Sequence, residues 1–137
     1  MNWLLFSSQK FEKMDKIEEL LLSNDGRCTI INMEDVASDT VDSSFFYSLT
    51  HTSYAIFNIP LEFMNHKSFL FALGFIIGKE IPVFISKNII KSEFVLDLLN
   101  DDFVTDFSDL QNLYNLLEKN LPKYVELEDA YISIRES

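Results

Sequence analysis

Residues 54–85 read YAIFNIPLEFMNHKSFLFALGFIIGKEIPVFI, and this stretch decides the fold. The run YAIFNI at 54–59 is apolar and β-favouring, and Pro60 ends it because proline cannot donate to a sheet ladder. A strongly apolar segment then spans 63–79, a helix by its length, and IPVFI at 81–85 is a second short strand. Strand, helix and strand in about thirty residues make a parallel crossover.

The same alternation continues outward in both directions. Toward the N-terminus, residues 3–6 form a short apolar strand followed by Ser7 and Ser8, both good helix caps. Phe11, Met14, Ile17, Leu20 and Leu21 fall at helical spacing within 9–24, and Asn24-Asp25-Gly26 stops that helix. CTIINM at 28–33 is continuous, as a strand covered on both faces should be. Val41, Phe45, Phe46 and Leu49 share one helical face over 39–52, with Ser38 or Asp39 as the cap. Downstream lie a short helix at 91–100, a last strand at Phe103-Val104, and an amphipathic helix at 108–120 carrying Leu110, Leu113, Leu116 and Leu117, which Pro122 closes. The pattern predicts an α/β fold: a flavodoxin-like, Rossmann-like doubly wound parallel sheet of about five strands in the order 2-1-3-4-5, with helices on both faces. Residues 1–122 are read as one domain and 123–137 as an acidic C-terminal tail or arm.

Composition removes several function classes. With three glycines, Gly26, Gly74 and Gly78, the chain holds neither a P-loop nor the three-glycine dinucleotide fingerprint. The lone Cys28 allows no internal disulfide and no cysteine zinc cluster, and His51 and His66 are too few for a multi-histidine metal site. Neither a metal nor another cofactor is expected. A net charge of −11 repels a phosphate backbone, and Lys10, Lys13 and Lys16 are interleaved with acids, so nucleic acid is not an expected partner. The longest apolar run, 69–77, reaches about half a membrane span, and residues 1–6 are too short for a signal sequence, so a cytoplasmic protein without a membrane segment is expected.

In doubly wound sheets ligands bind beyond the carboxyl ends of the strands, where the strand order reverses. That rule selects Ser7, Ser8, Asn58 with the turn to Pro60, and the start of the helix after Phe63, with His66 and Ser68. For Ser7 and Ser8 the competing reading is simple helix capping. Asp101, Asp102, Asp106 and Asp109 lack the glycine and terminal glutamate of an EF-hand and read as a solvated turn and a cap. Cys28 reads as an inert core thiol.

The 54–58 strand, its loop, and SFLFALGFIIGKEIPVF at 68–84 resemble the nucleoside 2-deoxyribosyltransferase-like family, with Leu73, Gly74, Phe75, Pro82 and Val83 at the family's spacing. The 103–110 segment is similar to its closing strand and helix. The resemblance implies a covalent chemistry in which a helix glutamate attacks the anomeric carbon of a nucleoside and displaces the base. At that position this chain has Ala72; Ser68 replaces a glycine, His66 a sugar-binding aspartate, and Ser53 a further acid. TIR domains, a related architecture whose NAD-cleaving members also use a helix glutamate, are matched no better.

The expectation is therefore a catalytically degenerate member, a pseudoenzyme that binds a nucleotide-like or phosphate-bearing small molecule, or a protein partner. Whether it is an enzyme stays open, with the missing nucleophile weighing against it. His66, Lys67 and Ser68 at a helix N-terminus supply donors suited to an anion. Two alternatives stand: an active N-glycosidase or deoxyribosyltransferase using an unaligned acid such as Glu62, and a purely structural subunit of a homo-oligomer. The helix from 63 to 77, apolar on nearly every face, implies a homodimer or larger assembly.

Overall fold

The computed structural model describes residues 1–9, 12–36, 43–87, 89 and 102–136. Five strands, β1 (Asn2–Ser7), β2 (Arg27–Asn32), β3 (Tyr54–Phe57), β4 (Val83–Ser86) and β5 (Val104–Phe107), form one sheet in the order β2-β1-β3-β4-β5, every pair parallel. Four α-helices lie among the described residues: α1 (Asp15–Leu22), α2 (Ser43–Thr50), α3 (Lys67–Gly78) and α4 (Leu110–Glu136). The fold is the doubly wound α/β arrangement that the sequence predicts. The helix read at 91–100 lies outside the described residues, as do Lys10, Phe11, the cap candidates Ser38 and Asp39, Val41 and Asp101.

Alternation along the central strands builds two cores. Leu4, Phe6, Ala55, Phe57, Val83 and Ile85 face α2 and α3, while Trp3, Leu5, Tyr54, Ile56 and Phe84 face α1 and α4. Paired positions stack across the sheet: Phe6 on Phe57 at 4.3 Å and Trp3 on Tyr54 at 4.7 Å between ring centroids. Such pairs contribute about 0.5–1.5 kcal/mol beyond the area they bury.

Three expectations are corrected. Ser7 and Ser8 do not cap α1, whose N-cap is Met14; Ser8 instead hydrogen-bonds Glu34, a residue distant in sequence. The second strand is not covered on both faces: β2 is a sheet edge, with Thr29 exposed and Ile30 49% exposed. Pro122 does not close the last helix, which runs through it to Glu136. A mid-helix proline costs about 3 kcal/mol, but Pro122 faces solvent while Leu121 is buried and Tyr124 packs on the Trp3–Tyr54 pair. That contact carries the helix past the break.

Helices α1 and α3 each end in a left-handed residue that is not glycine. Asp25 (φ 63°) follows α1 and Glu80 (φ 56°) follows α3, where Glu80 N–H donates to Ile77 and Ile81 N–H to Ile76. This is the Schellman bonding pattern. Gly26 serves a different need: a Cβ there would stand 2.7 Å from the Leu21 carbonyl oxygen and 3.0 Å from the Trp3 ring.

Candidate functional site

The carboxyl ends of the strands present two separate groups of side chains. Ser7 and Ser8 belong to the first. The Ser7 hydroxyl donates to the Ile31 carbonyl (3.4 Å), and the Ser8 hydroxyl donates to the Glu34 carboxylate, which also accepts from the Gln9 N–H at 3.2 Å. Asn32 holds the Glu34 backbone by accepting its N–H at 3.2 Å. Glu34 was not among the residues singled out from sequence. Its signal was its place just past the second strand, which the topology sets beside the first loop.

Next to this group, between α1, β1 and β2, lies a cavity of about 390 Å³ lined by Ser7, Ser8, Met14, Ile30 and Asn32 together with Glu12, Lys13, Asp15 and Glu18. Three carboxylates face one lysine, so this cavity disfavours an anion. Desolvation, and then the nearby Asp15 charge, raise the Glu18 carboxyl above its ordinary value. The half-buried Cys28 thiol is pushed up to about 11, first by burial and then by Glu18. At neutral pH it is a thiol and no nucleophile.

The second group sits at the start of α3. The backbone of β3 continues into Asn58, buried, whose N–H donates to Phe6 at 2.9 Å, so Asn58 stands beside Ser7 in register. A short 3-10 helix, Leu61–Asn65, then leads to His66, the N-cap of α3. Its ring packs edge-on against Phe63 at 4.8 Å, and its Nδ1 is buried with no hydrogen-bond partner among the described residues. Ser68, in the first turn of α3, is fully buried and its Oγ is also unpartnered. Leaving a buried hydroxyl unsatisfied costs about 1–3 kcal/mol. Lys67 between them is exposed.

The remaining candidates lie elsewhere. Ala72 is fully buried in the core under β1, β3 and β4, so the position of the family's nucleophile is sealed from solvent. Glu62 is exposed in the 3-10 helix. Ser53 lies at the opposite end of the sheet, its N–H donating to the Asn2 carbonyl at 2.8 Å and its hydroxyl accepting from the Asn2 N–H. Asp106 is on β5 and pairs with Lys87 at 3.7 Å, and Asp109 caps α4 by accepting from the Asn112 N–H at 2.7 Å. Among the described residues no three His, Cys, Asp or Glu side chains stand together as metal ligands, and no helix is long and apolar enough to cross a membrane. No protein-family model, curated protein or solved structure matches the chain.

Proposed function

We propose that this chain is a binding protein, a relative of the nucleoside 2-deoxyribosyltransferase-like family that has lost the covalent step and holds a phosphate-bearing small molecule at the first turn of α3. The observation that carries this reading is the pair of unpartnered buried polar atoms there, Ser68 Oγ and His66 Nδ1. A helix N-terminus leaves its first N–H groups unpaired and favours negative charge, so a phosphate satisfies backbone and side-chain groups together. Lys67 adds a cation at the same turn. The acid-lined cavity beside α1 repels the same ligand and so leaves α3 as the favoured end of the switch point. Because Ser68 is covered, binding requires the segment leading into α3 to move outward.

The covalent route lacks its reagent. Position 72 holds alanine and is sealed, and no base release from nucleosides or nucleoside monophosphates is expected. Thermal unfolding with inorganic phosphate, a nucleoside and a nucleoside monophosphate tests the reading. A ligand at a hundred times its dissociation constant adds about 2.7 kcal/mol, and the phosphate-bearing compounds should raise Tm where the nucleoside does not. Ser68→Ala and His66→Ala should abolish the shift. Equal shifts in wild type and both variants would reject the site, and base release that disappears in Glu62→Gln would replace binding with an active glycosidase.

A further inference from the structure

The outer stripe of α3 is formed by Lys67, Phe71, Gly74 and Gly78, all exposed, with Phe71 at 41%. A helix on a sheet normally turns a charged or polar stripe outward. Here no charge appears between Lys67 and Lys79, and the only polar residue, Ser68, faces inward. From α2, Phe46 (45% exposed) extends this face, its ring 6.2 Å from Phe71 and 6.1 Å from Phe75.

Among the described residues nothing explains the two glycines within one copy. A Cβ at Gly74 or Gly78 would meet nothing within 4 Å, and the left-handed turn after the helix is taken by Glu80 instead. Glycine inside a helix is unfavourable relative to alanine, and its use is close approach of another group to the backbone.

We propose that this face is the interface of a homodimer in which two copies pair α3 antiparallel about a two-fold axis, the Phe71 ring of each seated over Gly74 of the other. A two-fold interface must be self-complementary, and the stripe satisfies this because its large and small residues exchange under that operation. The same register puts Lys67 opposite Gly78 of the other copy, the last residue of that helix. A cation in the first turn is opposed by its own helix dipole, but at the carboxyl end of an antiparallel neighbour it is attracted, with Glu80 adding a negative charge that offsets the adjacent Lys79. Charge also selects this face at long range. At −11 per copy most surfaces repel one another, whereas α3 presents no carboxylate along its length.

Light scattering of the full chain at high micromolar concentration should give twice 16.0 kDa, and Phe71→Asp should give a monomer with unchanged far-ultraviolet circular dichroism. Gly74→Ala separates the proposal from a merely structural role. It should raise the melting temperature of the dilute monomer, because alanine favours helix, and weaken dimerisation by about tenfold or more, because the methyl group holds the rings apart. Lys67→Glu should weaken the dimer, and Glu80→Lys in the same chain should restore it. A mass of 16.0 kDa for wild type, or a dimer indifferent to both Phe71→Asp and Gly74→Ala, would overturn the proposal.

Discussion

Helices α1 and α3 lie on opposite faces of one sheet and do the same topological work, each returning the chain for the next parallel strand, yet their surfaces follow different rules. In α1 only Ile17 and Leu21 are buried, and Asp15, Lys16 and Glu19 face water. In α3, Ser68, Phe69, Ala72, Leu73 and Ile76 are buried, and beyond Lys67 in its first turn the side away from the sheet carries no charge. The first is a helix whose packed side is covered by the sheet and the last helix, with Leu22 as its one large exposed apolar side chain and charges on the rest of its wet side. The second is overprovided with apolar surface for that role, and what exceeds the need of the fold is where a partner is to be sought.

The largest test of this contrast acts on the buried side of α3. Ala72→Glu places a carboxylate in the core and should destabilise the protein by at least about 3 kcal/mol, read from denaturant unfolding, without creating glycosidase activity. An active, stable Ala72→Glu protein would show that position 72 opens to ligand after all. Ile17→Ala, the matching change under α1, should cost about 2–4 kcal/mol, whereas Glu19→Ala on its wet side should stay within about 0.5 kcal/mol. Equal costs for the two would erase the division of α1 into a packed and a solvated side.

A pH effect distinguishes the α1/α4 face from the other. Burial, and then Tyr124 and Glu128, push the Tyr54 hydroxyl up to about 12. The unfolded tyrosine loses its proton near 10, so between about 10 and 12 the unfolded state is the one that ionises and stability falls as pH rises. Below that window Tyr54 contributes no slope. Melting temperatures across pH 9–11.5 should therefore drop more steeply in wild type than in Tyr54→Phe, and parallel curves would refute the assignment. The smallest effect is expected at the end of α1, where Asp25→Gly relieves a left-handed aspartate and should add a few tenths of a kcal/mol to the denaturant-unfolding free energy, allowing for the added chain entropy of glycine.

The strand order was legible because buried parallel strands leave apolar runs between helical periods, as YAIFNI and IPVFI do on either side of α3. The errors share one origin. CTIINM has the composition of a central strand, but edge or centre is decided by which strands pair, and β2 has only β1 beside it. Ser8 has a cap's chemistry, yet its hydroxyl goes to Glu34, which lies close only after β1 and β2 pair. Pro122 carries a strong local stop signal that packing of Leu121 and Tyr124 overrides. Of the site residues, sequence located the strand ends and the first turn of α3; it did not reveal that the two serines are already engaged while His66 Nδ1 and Ser68 Oγ have no partner.

The aromatic cluster under α4 has an optical consequence. Trp3 is the chain's single tryptophan, it is 1% exposed, and its ring lies 4.7 Å from Tyr54 and 6.2 Å from Tyr124, more than a hundred residues along the chain. Its fluorescence therefore responds to the seating of the last helix on the first strand as well as to the Tyr54 and Phe84 rings beside it. Excited alone, this indole emits toward the blue when α4 is docked and toward the red when it is not, so the molecule carries its own dye for the contact that joins the two ends of its fold.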